Sequence, residues 1–238
     1  MHSVCTCSSP CWSDDLWQAI HIIALCSSFK ENEEKVAFCT LLVSLNRIIS
    51  CPPVEKEMCF FMDQPDHDLM KYVSSNKLLF SWTQQLREQL SKMMNVKCPT
   101  LAELTTFFNP SMLSKDVWGP VLWKCFHMTM LRAKMVDNFC TPSTKLSLKA
   151  FVTCFAILLP CPKCRSHAWE YYSTHEIDPF LSNNLVAFEW SSLFHNAVTD
   201  RTNQEHGLRR KLYTAKEALA LYVDIPNTLN LDGKFLTQ

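Results

Sequence analysis

Along most of the chain apolar residues return every three or four positions, and the strict alternation of a half-buried strand is almost absent. "LWQAIHIIAL" (16–25) and "LWKCFHMTML" (122–131) carry the helical period clearly. The pattern predicts helices over about 14–28, 34–49, 66–74, 76–94, 101–108, 114–135, 143–159, 162–175, 183–201 and 210–223. "TLAE" (Thr100–Glu103) and "TAKE" (Thr214–Glu217) have the form of capping boxes, a helix-start signal. Pro99, Pro110 and Pro142 mark boundaries between helices. The expected fold class is all-α.

The same pattern recurs. Trp17 and His21 in "LWQAIHIIAL" match Trp123 and His127 in "LWKCFHMTML", 106 positions later. "IISCPPVEK" (48–56) faces "LLPCPKCRS" (158–166), each with Cys-Pro opening a helix, at a spacing of 110 from Cys51 to Cys161. "NKLLFSWTQQLREQL" faces "NNLVAFEWSSLFHNAV", placing Trp82 opposite Trp190 at a spacing of 108. Three anchors kept in order predict a duplicated helical module, divided here into residues 1–98 and 99–238. The copies are unequal. Val54 stands where the second copy has Cys164, and Arg87–Glu88 stand where it has His195–Asn196. The first copy is expected to be degenerate, with the chemistry confined to the second.

Composition narrows the chemistry. Twenty-three basic and twenty-three acidic residues cancel, so no charge excess points to nucleic acid. No apolar run approaches the ~20 residues of a membrane span, and the first residues lack the basic and apolar regions of a secretory signal. A soluble protein made in the cytosol is expected. Three glycines (Gly119, Gly207, Gly233) leave no glycine-rich phosphate loop, so a nucleotide or flavin would be held by side chains and helices. Thirteen cysteines in such a chain suggest metal or redox work, although Cys26, Cys39, Cys125 and Cys154 sit in apolar patterns as small buried hydrophobes.

Cys161 and Cys164, in "CPKC", carry the strongest chemical signal. Pro162 suits the first helical position, which makes Cys161 the N-cap and Cys164 the third helical residue. Residues three apart in a first turn can form a disulfide, and the positive helix end stabilises a thiolate. Lys163 and Arg165 add positive charge. The competing reading is structural zinc on Cys161, Cys164, His167 and His175, which would make the protein a zinc-stabilised helical interaction module without catalytic activity. Trp123 with His127, and His195 with Asn196, flank the cysteine helix in sequence and could wall a pocket for a flat aromatic cofactor.

"GPVLWKCFH", "CPKCRSH" and "WSSLFHNAVTDR", across about residues 112–205, resemble the three signatures of the Erv/ALR FAD-dependent sulfhydryl oxidases. The two-module layout is similar to the sulfhydryl oxidases of baculoviruses and related large DNA viruses. The resemblance implies an all-α Erv/ALR bundle behind a degenerate module, binding FAD. It also implies a thiol oxidase that makes disulfides in protein substrates and reduces oxygen to hydrogen peroxide. Cys164 would lie against the flavin and Cys161 would meet incoming thiols. Trp123 and His127 would wall the cofactor, while His195, Asn196 and Val198 would contact its adenine end. Arg201 would reach the pyrophosphate; Arg209, Lys211 and Tyr213 are further candidates.

The chain departs from the family pattern in three places. Thr199 replaces an asparagine of the third motif, Pro120 replaces a common arginine, and no cysteine follows Cys164. Cys5, Cys7 and Cys11 are candidates for a shuttle. The implied partners are protein dithiols and oxygen, with a homodimer, no nucleic acid and no membrane insertion. The implied location is host cytoplasm or nucleus, and the virion.

Overall fold

Helix starts are written into the chain as caps and prolines. Pro52, Pro142 and Pro162 each open a helix, where the missing N–H costs nothing and the fixed φ is already helical. Thr100 and Thr214 accept from the N–H groups of Glu103 and Glu217 (3.2 Å each), and those carboxylates return the bond, so both capping boxes form. Helices end where left-handed backbone is available, at Asn95 (φ 52°) and Gly207 (φ 62°).

The computed structural model describes residues 11–134 and 139–223, the last of these by backbone alone. Cys5 and Cys7 lie outside the described residues. The helices are α1 (Asp14–Cys26), α2 (Asn32–Ile49), α3 (Pro52–Met62), α4 (Leu69–Tyr72), α5 (Asn76–Met94), α6 (Leu101–Phe107), α7 (Lys115–Leu131), α8 (Pro142–Leu158), α9 (Pro162–Thr174), α10 (Asn184–His206) and α11 (Ala215–Val223). Short 3-10 turns cover Pro65–His67 and Asp178–Phe180. No strand occurs among the described residues, and none of their helices is long and apolar enough to cross a membrane. The fold is all-α.

Several boundaries differ from the sequence expectation. Residues 52–62 form the helix that Cys51 and Pro52 open, as the repeat predicts, although the periodic pattern marks no helix there because two prolines obscure its first turn. The helix expected over 66–74 is split between a 3-10 turn and α4, with Asp68 capping the restart. α10 runs on to His206, where Gly207 stops it. α11 starts only at its Thr214 cap.

α1, α2, α7 and α8 form the centre: α2 packs along α8, and α1 packs against both α7 and α5. Trp17, Phe38, Phe126 and Phe151 of these helices are buried, as are Trp82 on α5 and Phe188 and Trp190 on α10. Each fully buried phenylalanine or leucine contributes roughly 1.5–3 kcal/mol of transfer free energy. The two halves also exchange related bonds across the centre. Ser27 Oγ donates to Leu158 O (2.6 Å), and Lys134 N donates to Ile48 O (2.9 Å).

Inside each half the same polar joints recur. Trp82 Nε1 donates to His67 O (2.8 Å) and Trp190 Nε1 to His175 O (3.1 Å). Phe108 stands edge-on to Phe80 (5.8 Å) as Tyr222 does to Phe188 (5.9 Å). Contacts cross the expected division at residue 98. Phe108, just past α6, lies against His21 (5.7 Å) and Phe80, so residues 99–108 pack with the first half.

Candidate cofactor and disulfide site

The α8–α9 turn presents the cysteine pair. Cys161 is the N-cap of α9, its Sγ accepting from Cys164 N (3.2 Å), as the proline spacing predicts. Cys161 and Cys164 are joined as a disulfide with Cα atoms 5.1 Å apart. Both are half-buried, and Cys164 faces a cavity of about 1090 Å³ between α7, α9 and α10.

Trp123 and His195 form one flat wall of that cavity, stacked with ring centroids 4.1 Å apart and 9° between planes. Their orientation is set from behind. Ser191 Oγ donates its only hydrogen to Phe188 O (2.7 Å), so it must accept from His127 Nδ1 (2.8 Å). His127 is buried, and loss of hydration together with the charge of His195 pushes its pKa down to about 3, so the ring is neutral. Its bare Nε2 then accepts from His195 Nδ1 (3.0 Å). Burial lowers His195 to about 4, so it too is neutral and its Nε2 is left as an acceptor. A chain of three groups thus fixes both the plane of the wall and the polarity of its exposed edge.

The predicted residues divide between cavity and support. Trp123, Cys164, His195, Val198 and Thr199 line the cavity. His127 stands behind His195. Asn196 is not a lining residue: its side chain pairs with the backbone of Tyr213, donating to the carbonyl (2.6 Å) and accepting from the N–H (3.0 Å). Asn203 does the same for Arg210, at 2.8 and 2.9 Å. Together they hold residues 208–213 as a strap beside the cavity. Arg201 instead pairs with Glu170 (2.9 Å) and lines a separate hollow of about 240 Å³. Lys211 pairs with Glu217 (2.9 Å) and sits 4.8 Å over the Tyr213 ring. The basic residue that the strap does turn to the cavity is Arg210, between the candidates Arg209 and Lys211.

Sequence reading missed Lys115, Trp118, His206 and Tyr222, which also line it. Trp118 was legible as the counterpart of Trp12, 106 positions earlier. Lys115, Lys163 and Arg210 outnumber Asp116 and Glu205 around the cavity, and with Lys163 paired to Glu205 (2.6 Å) the basic side is carried by Lys115 and Arg210. A flat aromatic slot, a basic mouth and a disulfide sulfur in one wall match the ring, the diphosphate and the redox partner of a flavin dinucleotide. The volume lies at the upper end of small-molecule sites. The zinc arrangement does not assemble: the two cysteines are bonded to each other, His175 bonds Thr174 Oγ1 (2.8 Å), and no group of three metal-ligating side chains gathers among the described residues.

Comparison with known proteins gives the same answer. A sequence model of the Erv1 / Alr family matches residues 120–217. The FAD-linked sulfhydryl oxidase of African swine fever virus (isolate Tick/Malawi/Lil 20-1/1983) is 34% identical over 91 residues, 37% of this chain and 70% of that protein. The protein of the same name from isolate Pig/Kenya/KEN-50/1950 is 30% identical over 89 residues, with the same coverage. A similarly named protein of Invertebrate iridescent virus 3 is 26% identical over 92 residues, 39% of this chain and 60% of its own. No solved structure matches the chain. With 30% and 34% identity over 70% of the two African swine fever virus enzymes, the chain belongs to the Erv1 / Alr family.

Proposed function

We propose that this chain is an FAD-linked sulfhydryl oxidase whose working half spans α7–α11 and whose first half is a degenerate copy ending near Phe108. The observation that carries the reading is the Cys161–Cys164 disulfide with Cys164 alone of the pair turned into the basic, aromatic cavity. FAD bound there supplies a two-electron acceptor that oxygen can regenerate, with release of hydrogen peroxide.

The chain's own residues would act as follows. A thiolate of a protein dithiol attacks Cys161 Sγ, forming a mixed disulfide and releasing Cys164 as thiolate. The substrate's second thiol displaces Cys161, so two substrate thiols become one disulfide and the pair becomes two thiols. The first turn of α9, with Cys161 at its cap, would stabilise both leaving thiolates. Trp123 and His195, which share the cavity with Cys164, would hold the flavin, and Lys115 and Arg210 would supply charge for its diphosphate. Over a full cycle two thiols and one oxygen give one disulfide and one hydrogen peroxide.

A visible absorption spectrum of the purified chain tests this. A flavin band that bleaches with dithiothreitol and returns on aeration, with peroxide formed, is expected. A colourless chain, or a band that a dithiol leaves unchanged, would overturn the assignment.

A further inference from the structure

The turn that carries the redox pair is held by the half that lacks chemistry. Leu158 O, at the end of α8, accepts from Ser27 Oγ (2.6 Å) in the loop between α1 and α2. Arg165, the residue after Cys164, reaches the same region: its Nη1 donates to Glu34 Oε1 (2.9 Å). Residues 27 and 158, and 34 and 165, are each 131 positions apart, so nothing local brings them together.

Glu34 is itself prepared for the contact. Its Oε2 accepts from Lys30 N (2.8 Å) and Glu31 N (3.3 Å), and its Oε1 accepts from both Ser28 Oγ and Arg165. Burial pushes its carboxyl up. The hydrogen bonds from Ser28, Glu31 and Lys30, with the charge of Arg165, outweigh that and hold it below the ordinary carboxylate range. Glu34 is 7% exposed and fully engaged, unlike the exposed pairs elsewhere on the surface, which contribute little.

We propose that residues 27–34, the α1–α2 loop with the first turn of α2, form a clamp that positions the Cys161–Cys164 turn, with Glu34 acting through Arg165 and Ser27 through the Leu158 carbonyl. The first half is then retained as a platform for the reaction and not only as packing. Ser27, Glu34 and Arg165 are positioning residues: none touches a reacting sulfur. This rests on the oxidase reading of the cysteine pair.

The test uses the full chain under oxygen-free conditions, with dithiothreitol as the thiol. Opening of the Cys161–Cys164 disulfide is followed by alkylation and mass spectrometry. Glu34→Gln and Ser27→Ala are each expected to slow opening about three- to tenfold, since small displacements of a reacting group cost that much or more. The Glu34→Gln/Arg165→Gln double variant should be no slower than either single one, as expected for two residues acting as one contact. Labelling of the buried thiols Cys125 and Cys154 should stay at the parent level. Opening within twofold of the parent overturns the clamp. So does slowed opening accompanied by labelling of Cys125 and Cys154, which would mean general loosening. A parent chain whose pair dithiothreitol cannot open defeats the oxidase reading itself, independently of any variant.

Discussion

In one half of the molecule a tryptophan backed by a buried histidine faces an open slot; in the other the same pair is walled in. Trp17 and His21 stack at 6.1 Å, and Trp123 and His127 at 5.7 Å. His21 Nδ1 bonds Thr83 Oγ1 (3.0 Å) just as His127 bonds Ser191, and Thr83 likewise passes its hydrogen to a phenylalanine carbonyl (Phe80 O, 2.8 Å). The difference lies one step further out. His127 Nε2 meets His195, whereas His21 Nε2 is buried with no hydrogen-bond partner.

The residue at the position of His195 is Arg87, and it turns to Asp14 instead. Trp12 then lies on Trp17, with centroids 4.9 Å apart, and anchors its Nε1 on Ser50 Oγ (2.7 Å). Its counterpart Trp118 lines the open cavity. An orphaned ring nitrogen costs about 1–3 kcal/mol, so it reads as the mark of a lost partner. In the first half Trp12 fills the space beside Trp17; in the second Trp118 lines an open cavity.

The largest way to break this comparison is at the cysteines. Cys161→Ala or Cys164→Ala should lower dithiol-driven oxygen consumption about a thousandfold or more, as removal of a reacting group does. Cys51→Ala, at the matching cap of α3, should leave it within twofold.

Next come the tryptophans. Trp12→Ala should destabilise the chain by about 3–5 kcal/mol, seen as a lowered thermal midpoint, with bound flavin unchanged. Trp118→Ala should do the reverse: a smaller loss of stability and a marked loss of flavin.

Acid sharpens the likeness of the halves. His21 and His127 are held near 3 and His195 near 4, each first by burial and the first two also by neighbouring charge. Unfolded, each binds a proton below about pH 6.5. Between there and pH 4 the unfolded chain therefore holds more protons, so stability falls as pH drops through that window. Urea midpoints measured from pH 7 to 4 should show this, and His21→Leu should flatten the slope by one of the three protons.

The smallest effect expected is at Asn196. Replacing it by alanine frees the Tyr213 backbone and should weaken flavin binding three- to tenfold, about 1 kcal/mol, without altering the disulfide. Equilibrium dialysis reads it.

Helices, caps, the repeat and the cysteine pair were legible because each depends on neighbours three, four or about 108 positions away in a fixed pattern. The His127–His195 bond was not, since two motif histidines can each touch a ligand or each other, and only packing decides. Motif position alone points Asn196 and Arg201 to a cofactor, and Lys211 is a further candidate beyond the motifs. The structure directs them to Tyr213, Glu170 and Glu217, because partners on the strap, on α9 and on α11 stand nearer than the cavity. The cross-half pair Arg165–Glu34 had no sequence signal at all: it joins residues without repeat counterparts in charge.

The flavin content of the purified 238-residue chain tests the account most directly. Denaturing extraction and absorbance, set against amino-acid analysis, should return one FAD per chain, reduced by Trp118→Ala and untouched by Trp12→Ala. Two flavins per chain, or one that Trp12→Ala removes, would contradict the division between a filled and an open slot.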